Sequence, residues 1–551
     1  MNTSFASRNR QALLAHLQEN QYDLLVIGGG ATGSGIALDA ASRGLKTALI
    51  DKQDFAAGTS SRSTKLIHGG LRYLKQFEIA LVREVGRERA IVHKLAPHLV
   101  VSEKMLLPII KDGTYGKLLT SLGLMVYDVL AGVERADQRV MLSRQDALEK
   151  EPLIKPEVVE GAGLYAEYRT DDARLSLEVL KTAALYGADS INYVEALDFV
   201  YENDVISGAT CHDHLTGEDF VIKAHQVVNA AGPWVDTLRE KNHSMNEKHL
   251  FLSKGVHIVV PHERFPLQQS IYFDVPDGRM CFGIPRGRIT YVGTTDTPYE
   301  GDINNPLTLE EDVAYLVDGV NNLFPDVNLS KEDVISSWAG LRPLIFEEGK
   351  SASEISRKDE IFHSDTNLIS IAGGKLTGYR KMAERVVDEV AKYMRKTHGT
   401  QLKPCQTASI VITGGGFEDA KDVGVFTDKV LEQIAPHGFD RYDAEYLVHN
   451  YGQQTDRIID AFLEKESKDV RNLILCELAF CLEHEMVQSS MDFFSRRTGR
   501  LYFDITSVRD HREAVLNELQ AALKWDEARR KQEEEWLENG VYAASNFPEK
   551  V

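Results

Sequence analysis

The sequence has little cysteine, no excess of positive charge and no long apolar run, and each absence excludes a class of protein. Five cysteines are scattered through 551 residues without Cys-x-x-Cys or metal-ligand spacing, so we expect reduced thiols, no disulfide framework and no metal site. The formal net charge of −20 disfavours a nucleic-acid partner, which would need a basic face. A local basic pocket for a small anion remains compatible with this charge.

The N-terminal segment and the apolar stretches give no sign of export or membrane insertion. No apolar core of a signal peptide precedes residue 20, and no uncharged window is long enough to span a bilayer. We therefore expect a cytoplasmic protein, and we leave open a peripheral contact with the inner face of the cell membrane. The most apolar helical stretch, residues 115–130, is either an interfacial helix or a helix packed within the protein, and packing is favoured.

The remaining composition is that of a globular protein, with 43% hydrophobic and 26% charged residues. At this length two or three domains are expected. Residues 76–135 have a mostly helical pattern, residues 186–228 alternate like a β-meander, and residues 251–300 are rich in strands. From about residue 420 to 538 the pattern predicts helices joined by short turns, which indicates a separate C-terminal domain.

A strand, a glycine turn and a helix follow one another near the N-terminus. Residues 22–27 predict a buried parallel strand, and Gly28-x-Gly30-x-x-Gly33 comes directly after it and opens an alanine-rich helix. The glycines allow a tight turn, a close approach of the backbone to a pyrophosphate, and close helix–strand packing. The helix N-terminus offers unpaired N–H groups to that pyrophosphate. The pattern predicts a dinucleotide site; the alternative is a turn without a ligand.

Three further features extend this signature along the chain. Asp51 ends the next strand about twenty residues on, where a carboxylate can bond ribose hydroxyls. Residues 227–234 end a strand in small residues, which lets a cofactor lie against the backbone. Residues 371–377 form a glycine turn before a helix, whose N-terminus would stabilise negative charge on a reduced flavin. Each later turn alone is more often structural, but together they favour FAD over NAD.

Several motifs together resemble one family. The stretches TSSRSTKLIHGGLRYL, DDARL, VVNAAGPW, KGVHIVV, VGTTD, WAGLRPL and GGKLTGYRKMAE are similar to those of the FAD-dependent glycerol-3-phosphate dehydrogenases. The resemblance runs from about residue 20 to 395 and continues into the helical C-terminal domain. It implies an α/β fold of the glucose-oxidase/D-amino-acid-oxidase-like group, with a Rossmann-like FAD-binding domain, a mixed β-sheet substrate domain and an α-helical C-terminal domain.

We expect the domains to alternate along the chain. The FAD-binding domain is expected in three segments, residues 20–95, 171–250 and 336–398. The remaining segments are a helical cap and substrate-domain segment at 96–170, substrate-domain strands at 251–335, and the helical C-terminal domain at 399–551.

The resemblance, carried over position by position, implies a set of cofactor-binding residues. Those at the ADP half are Gly28, Gly30, Thr32, Gly33, Asp51 and Lys52. Those along the ribityl chain and flavin are Thr59, Ser60, Ser61, Lys65, Leu66, His68 and Gly69. Those of the two later turns are Ala231, Gly232, Gly374, Lys375, Leu376 and Thr377. Many relatives have glutamate at position 51, and the shorter aspartate can still reach the ribose.

The resemblance also implies a site for a phosphate ester. A phosphomonoester carries close to two negative charges, and arginine pairs with two of its oxygens at once. Lys254 and Lys375 could serve either the phosphate or the flavin N1–C2=O region, and each arginine taken singly is more often part of a structural ion pair. The positions that match substrate-binding ones are Arg72, Tyr73, Arg342, Arg357 and Lys375.

The implied reaction is the oxidation of sn-glycerol 3-phosphate to dihydroxyacetone phosphate, with hydride transfer to flavin N5 while a base removes the hydroxyl proton. His68 is the first candidate for that base and His257 the second. Arg342 is placed beside His68 in the catalytic site. The alternative for His68 is a bond to the flavin or the backbone.

The sequence leaves more than one electron acceptor and more than one reaction class open. Dehydrogenase relatives pass electrons to membrane quinone, whereas oxidase relatives use oxygen and are typically longer, so the length favours quinone. Another enzyme reading is an FAD amine or 2-hydroxy-acid oxidoreductase, which needs one carboxylate-binding arginine. A non-enzyme reading is a flavin-binding protein whose C-terminal domain recruits a partner. The sequence leaves open whether the chain forms a homodimer.

Overall fold

Two large β-sheets and a helical C-terminal region make up the computed structural model, which describes residues 5–68, 79–111, 113, 138–349 and 358–550. The predicted site residues Gly69, Arg72, Tyr73 and Arg357 lie outside these ranges, as does the apolar stretch 115–130. The strands are β1 Gln21–Ile27, β2 Thr47–Ile50, β3 Leu66–Ile67, β4 Val101–Ile110, β5 Val140–Leu142, β6 Val159–Arg169, β7 Asp189–Ile191, β8 Val194–Glu202, β9 Val205–Asp213, β10 Glu218–Asn229, β11 Leu250–Pro261, β12 Ser270–Asp274, β13 Met280–Arg286, β14 Ile289–Gly293, β15 Thr297–Pro298, β16 Ser336–Ile345, β17 Asp359–His363 and β18 Leu368–Gly373.

The helices fall between the strands of the first two thirds of the chain and then follow one another without strands. They are α1 Arg10–Glu19, α2 Ala31–Arg43, α3 Ile79–Leu95, α4 Arg144–Lys150, α5 Asp172–Leu185, α6 Val235–Lys241, α7 Glu310–Leu323, α8 Tyr379–His398, α9 Ala420–Ile434, α10 Arg441–Tyr451, α11 Thr455–Leu463, α12 Val470–His484, α13 Arg500–Phe503, α14 Ile505–Leu523 and α15 Glu527–Ser545.

The first sheet runs in the order β17-β18-β10-β1-β2-β7, with β8 and β9 continuing from β10. The four strands β18, β10, β1 and β2 are parallel, and Ile27 stands opposite both Asn229 and Ile50. Because carboxyl ends of parallel strands meet at one edge, the glycine turns after β1 and β18 and the small residues after β10 come together there. Helix α2 packs on α5 and α8 over this sheet.

The second sheet runs in the order β15-β11-β14-β13-β12-β4-β6-β3, with β16 on β11 and β5 on β6. Its apolar face and helix α7 share a core that includes Ile258, Phe273 and Phe324. The strand-rich pattern predicted for residues 251–300 is confirmed by β11 to β15.

The mostly helical pattern predicted for residues 76–135 is confirmed at α3 but is wrong at β4, which is a ten-residue strand. Pro108 explains the difference, because proline lacks the N–H that a helix interior needs. In β4 this residue pairs with Ala162 of β6, while β12 pairs with β4 only at Met105 and Leu106. The missing donor therefore falls where the strand has no second partner. The described part of segment 96–170 is accordingly built mainly of β4, β5 and β6 rather than helices.

The C-terminal helices α9 to α15 enclose their own core, which includes Tyr451, Phe493 and Phe494. A π-helical turn, Asp492–Arg497, interrupts them and packs against α5. The Rossmann-like sheet, the second mixed sheet and the helical C-terminal region confirm the predicted fold class. Within the described ranges, no helix is both long and apolar enough to cross a bilayer.

Candidate active site

A cavity of about 800 Å³ lies where the carboxyl edge of the first sheet faces the second sheet. Its volume falls in the range of sites that hold a cofactor or drug-sized ligand. One part is lined by Gly28, Gly30, Asp51 and Gly232, and we call it the dinucleotide end. Basic residues also line the cavity, among them Arg62, Arg279, Arg342 and Lys375, and we call these four together the cationic end.

The glycine turn after β1 leaves no space for side chains. The backbone of Gly28 has φ 112°, and a Cβ added there would lie 2.5 Å from the carbonyl oxygen of Ala230. A Cβ on Gly33 would lie 1.8 Å from the carbonyl oxygen of Gly28. Gly28 lines the cavity, whereas Gly33 does not and instead allows α2 to start against the turn. This cradle of backbone atoms suits the close approach of a pyrophosphate.

The carboxylate of Asp51 holds the same turn in place. It accepts hydrogen bonds from the backbone N–H of Gly29 at 2.7 Å and of Gln53 at 2.9 Å. Burial raises the pKa of Asp51 to about 6. A carboxylate oxygen can accept more than one bond, so the ribose hydroxyls of a dinucleotide would find an acceptor here. The donors and acceptors of this end therefore fit FAD.

Lys52 and Trp234 line the dinucleotide end beyond Asp51. The Lys52 ammonium lies 4.2 Å from the centre of the Trp234 ring. Both side chains also donate to Oδ1 of Asn304, Lys52 at 2.9 Å and the indole N–H at 3.1 Å. This contact links the first sheet to the segment after β15.

His68 lies at the cavity wall and contacts both sheets. Its ring meets the ring of Phe282 on β13 edge-on, with 6.2 Å between centroids. Its carbonyl oxygen accepts a hydrogen bond from the Thr377 hydroxyl at 3.2 Å, which ties it to the turn after β18. Phe282 in turn stacks on Tyr272 at 4.3 Å. The imidazole therefore faces a cavity whose wall on one side is aromatic.

Arg342 of β16 is held at the cavity by three contacts on the second sheet. Its Nη2 donates to the Thr294 hydroxyl at 2.8 Å, and its Nη1 donates to the Thr295 carbonyl at 3.2 Å. The Asp296 carboxylate lies 3.4 Å from the same Nη1. These contacts fix the plane of the guanidinium, which is only 18% exposed.

Arg62 and Arg279 also line the cavity, and the sequence reasoning assigned neither. Arg62 lies inside the hydroxyl-rich stretch that precedes His68, so that motif could have indicated its place at the cavity. Arg279 follows the turn at Gly278 and is fixed by Asp277, whose carboxylate lies 2.6 Å from Nη2. Arg279 lies in the turn between β12 and β13, where its Nη1 also donates to the Asp296 carbonyl at 3.4 Å, and no local motif marks it.

Two protein-family models match this chain. Residues 23–380 match the family model described as FAD dependent oxidoreductase, and residues 405–530 match the C-terminal domain of alpha-glycerophosphate oxidase. The chain is 51% identical over 532 residues to an aerobic glycerol-3-phosphate dehydrogenase of Bacillus subtilis, a span that covers 96% of each chain.

The chain belongs to the family of FAD-dependent glycerol-3-phosphate dehydrogenases.

Two more members of this family support the assignment. An aerobic glycerol-3-phosphate dehydrogenase of Staphylococcus aureus is 47% identical over 541 residues, covering 98% of this chain and 97% of its own. A solved glycerol-3-phosphate dehydrogenase of Bacillus halodurans, complexed with FAD, superposes with a TM-score of 0.84 at 44% identity, covering 99% of this chain and 100% of that one. The resemblance found in the sequence is thus confirmed.

Most of the residues predicted from the family resemblance line the cavity. Those that do not are Gly33, Ser61, Lys65 and Lys254, and those outside the described residues are Gly69, Arg72, Tyr73 and Arg357. The predicted residues that line it are Gly28, Gly30, Thr32, Asp51, Lys52, Thr59, Ser60, Leu66, His68, Ala231, Gly232, Arg342, Gly374, Lys375, Leu376 and Thr377.

Two lysines expected at the site are held in buried ion pairs instead. The Lys65 ammonium lies 2.5 Å from Asp172 and 3.4 Å from Asp171. Burial alone would lower the pKa of Lys65, but the two carboxylates raise it above its usual value. Lys254 lies 2.6 Å from Asp312, away from the cavity lining. The structure therefore does not bring Lys254 to the predicted phosphate site or Lys65 to the flavin site.

His257 is buried behind the cavity wall rather than in it. It stacks on Trp338 with 4.8 Å between ring centroids, and its Nε2 lies 3.0 Å from the hydroxyl of Thr64, which lines the cavity. Burial holds the pKa of His257 well below its ordinary value, and the charges of Arg342 and Lys65 lower it further. His257 is therefore neutral and can reach a ligand only through Thr64.

Proposed function

We propose that this chain binds FAD in the cavity and oxidises sn-glycerol 3-phosphate to dihydroxyacetone phosphate. The observation that carries the proposal is that the glycine turns and Arg342 line one cavity, so a dinucleotide and an anionic substrate can lie side by side. FAD, when bound, supplies the acceptor for the hydride of the substrate carbon. The backbone of Gly28 and Gly30, the carboxylate of Asp51 and the turn at Leu376 would hold it.

His68 is the proposed base for the hydroxyl proton of the substrate. A neutral imidazole nitrogen can accept that proton, and the ring faces the cavity between the Thr377 turn and Phe282. The bond from Thr377 to the His68 carbonyl fixes the backbone that carries the ring. Phe282 limits how far the ring can swing and keeps water from one side of it.

The cationic end is the proposed phosphate site. Arg342, Arg62, Arg279 and Lys375 line it, and several directed cations are what a doubly charged ester needs when it leaves water. Thr294 and Asp296 orient the Arg342 fork before substrate arrives. By family resemblance Arg72, Tyr73 and Arg357 belong to the same substrate site, and these assignments stay predictions.

The proposed electron acceptor is a membrane quinone, reached by peripheral contact with the inner face of the cell membrane. A second candidate is oxygen, which the match of residues 405–530 to a glycerophosphate oxidase domain favours. Aerobic dehydrogenase relatives that span nearly the whole chain favour the first candidate. Assembly into a homodimer stays a prediction.

The test is anaerobic mixing of the FAD-loaded protein with sn-glycerol 3-phosphate, followed in the flavin absorption band. We expect the band to bleach with this substrate, and not with amino acids or 2-hydroxy acids at the same concentration. Adding a quinone analogue should restore the band quickly, whereas air alone should restore it slowly, with about one peroxide formed for each flavin that is reoxidised. Bleaching by amino acids alone would support the amine oxidoreductase reading, and no bleaching at all would support a non-catalytic flavoprotein.

A further inference from the structure

The helical C-terminal region contacts the loop at the dinucleotide end of the cavity, and a buried residue of that loop, Asp54, carries the main contact. Residues 51–58, which we call the β2 loop, connect β2 to the turn Thr59–Ser61. Six of its eight residues line the cavity, namely Asp51, Lys52, Gln53, Ala56, Ala57 and Gly58. Asp54 does not line the cavity and is only 1% exposed. Its carboxylate points to the opposite side of the loop.

Two arginines of the C-terminal region meet the Asp54 carboxylate. Arg497 donates from Nη1 and Nη2 to its two oxygens at 2.5 and 2.8 Å, and Nε of Arg496 donates to Oδ2. Asn192 adds a fourth donor at 2.9 Å. Burial alone would raise the pKa of Asp54, but the two guanidinium groups lower it to about 2. The carboxylate is thus ionised and fully bonded.

Both arginines are themselves fixed by the C-terminal region. They belong to the π-helical turn Asp492–Arg497, and such turns often mark functional positions. Arg497 also donates to the Glu485 carbonyl at 2.8 Å, and Arg496 donates to Asp492 at 2.8 Å. The position of Asp54 is therefore set by a rigid turn more than 430 residues along the chain.

The residues next to Asp54 carry this restraint to the glycine turn. The ring of Phe55 lies beside Gly29, so that a Cβ added to Gly29 would come within 2.7 Å of it. The backbone N–H of Ala56 donates to the Gly29 carbonyl at 3.1 Å. Ala56 itself has φ 61°, a conformation that a residue with a side chain holds only when its surroundings enforce it. An anchored Asp54 supplies part of that enforcement.

We propose that Arg496 and Arg497 are positioning residues for FAD, which hold the β2 loop and, through it, Asp51 and the glycine turn. The C-terminal region then determines how tightly the dinucleotide end binds its ligand, without touching that ligand. This inference takes FAD as the ligand, as the proposed function does. It predicts that loss of the arginine contacts raises the FAD dissociation constant beyond what any loss of apoprotein stability would explain.

A second buried ion cluster between the same two regions provides the matched control. Glu485 accepts hydrogen bonds from Arg174 at 2.7 Å and from Lys181 at 2.8 Å, both on α5. All of these side chains are buried, and none of them lines the cavity. Glu485→Gln keeps the backbone carbonyl that Arg497 contacts, so it weakens the contact between α5 and the C-terminal region while the bonds to Asp54 stay in place.

The experiment compares Arg497→Gln with Glu485→Gln in the full chain. The apoprotein is titrated with FAD while flavin fluorescence is followed, and the melting temperature of each apoprotein is recorded separately. We expect the FAD dissociation constant to rise about tenfold in Arg497→Gln and to change by less than about twofold in Glu485→Gln. Hydrogen exchange should quicken in residues 51–58 only in the first variant.

Equal changes of the dissociation constant in the two variants would overturn the inference, as would an unchanged constant in Arg497→Gln. If Arg497→Gln does not fold, Arg497→Lys takes its place, because it keeps the charge and loses the two-pronged contact. The same comparison then applies to it. A wild-type chain that binds no FAD would instead contradict the proposed function, so the two failures are distinguishable.

Discussion

The two ends of the cavity are built from different kinds of atoms. The dinucleotide end presents mainly backbone groups of a glycine turn, fixed by Asp51 at the edge of a parallel sheet. The cationic end presents side chains of Arg62, Arg279 and Arg342, which come from separate segments. The backbone cradle is built from residues close in the chain and is then held from a distance through Asp54, whereas the cluster of cations depends on distant segments for all of its members. Changes at one end should therefore leave the other intact.

The largest expected effect is on kcat, and it comes from replacing the proposed base, His68. His68→Gln should lower kcat about a thousandfold, because it removes the group that accepts the hydroxyl proton. The FAD dissociation constant should change far less than kcat, since glutamine keeps the backbone carbonyl that Thr377 contacts. Steady-state kinetics with sn-glycerol 3-phosphate and a dye acceptor measure the first quantity, and flavin fluorescence measures the second. A variant with nearly unchanged kcat would remove His68 as the base.

The next effect concerns the cationic end alone. Arg342→Ala should raise KM for sn-glycerol 3-phosphate about a hundredfold, because a charged group that pairs with the phosphate is lost. The flavin content of the purified protein should stay the same. Lys254→Met is the matched control, because Lys254 on the adjacent strand pairs with Asp312 outside the cavity. It should lower the melting temperature and leave KM nearly unchanged. Equal KM changes in the two variants would contradict the assignment of Arg342.

A smaller effect is expected on the pH dependence of FAD affinity, which tests the dinucleotide end. The pKa of Asp51 is about 6 in the structure without ligand, and ribose hydroxyls that donate to the carboxylate would lower it. Below pH 6 a proton must then leave when FAD binds, so FAD affinity should fall as the pH decreases, by at most about tenfold per pH unit. Affinity measured between pH 5 and 8 should follow this course in wild type and be flat in Asp51→Asn. The same slope in both would show that another group is responsible.

The smallest effect distinguishes the two histidines. His257→Gln should change kcat only a few-fold, because His257 lies behind Thr64 and burial holds the pKa of its imidazole well below the ordinary value. The pH dependence of kcat should keep its shape. A loss of activity as large as that of His68→Gln would reverse the assignment and make His257, acting through Thr64, the base.

The sequence was a good guide to the dinucleotide end because the information there is local. The spacing of Gly28, Gly30 and Gly33 directly after β1, with Asp51 at the end of β2, determines the turn almost by itself. The convergence of the two later turns also followed from parallel strands. The helical prediction at β4 failed because an apolar run of that length resembles either structure and the weight of Pro108 against a helix was overlooked.

The cationic end was less predictable because a basic residue does not reveal its partner. Lys254 was assigned by residue type and Lys65 from the family resemblance, but Asp312, Asp171 and Asp172 reach them from other segments. Arg279 was overlooked for the opposite reason, since it lies in the turn between β12 and β13 and no local motif marks that turn as part of the cavity. The contacts of Asp54 with Arg497 join residues so far apart that no local pattern reports them.

The most direct test of the account is a crystal structure of this chain with FAD and a non-reacting analogue of sn-glycerol 3-phosphate. We predict that the pyrophosphate lies against the turn at Gly28 and Gly30, and that the analogue's phosphate lies within hydrogen-bond distance of Arg342. The analogue's hydroxyl should face His68. A phosphate bound away from Arg342, or a flavin placed so that His68 cannot reach the hydroxyl, would contradict the claim that one cavity joins the two ends.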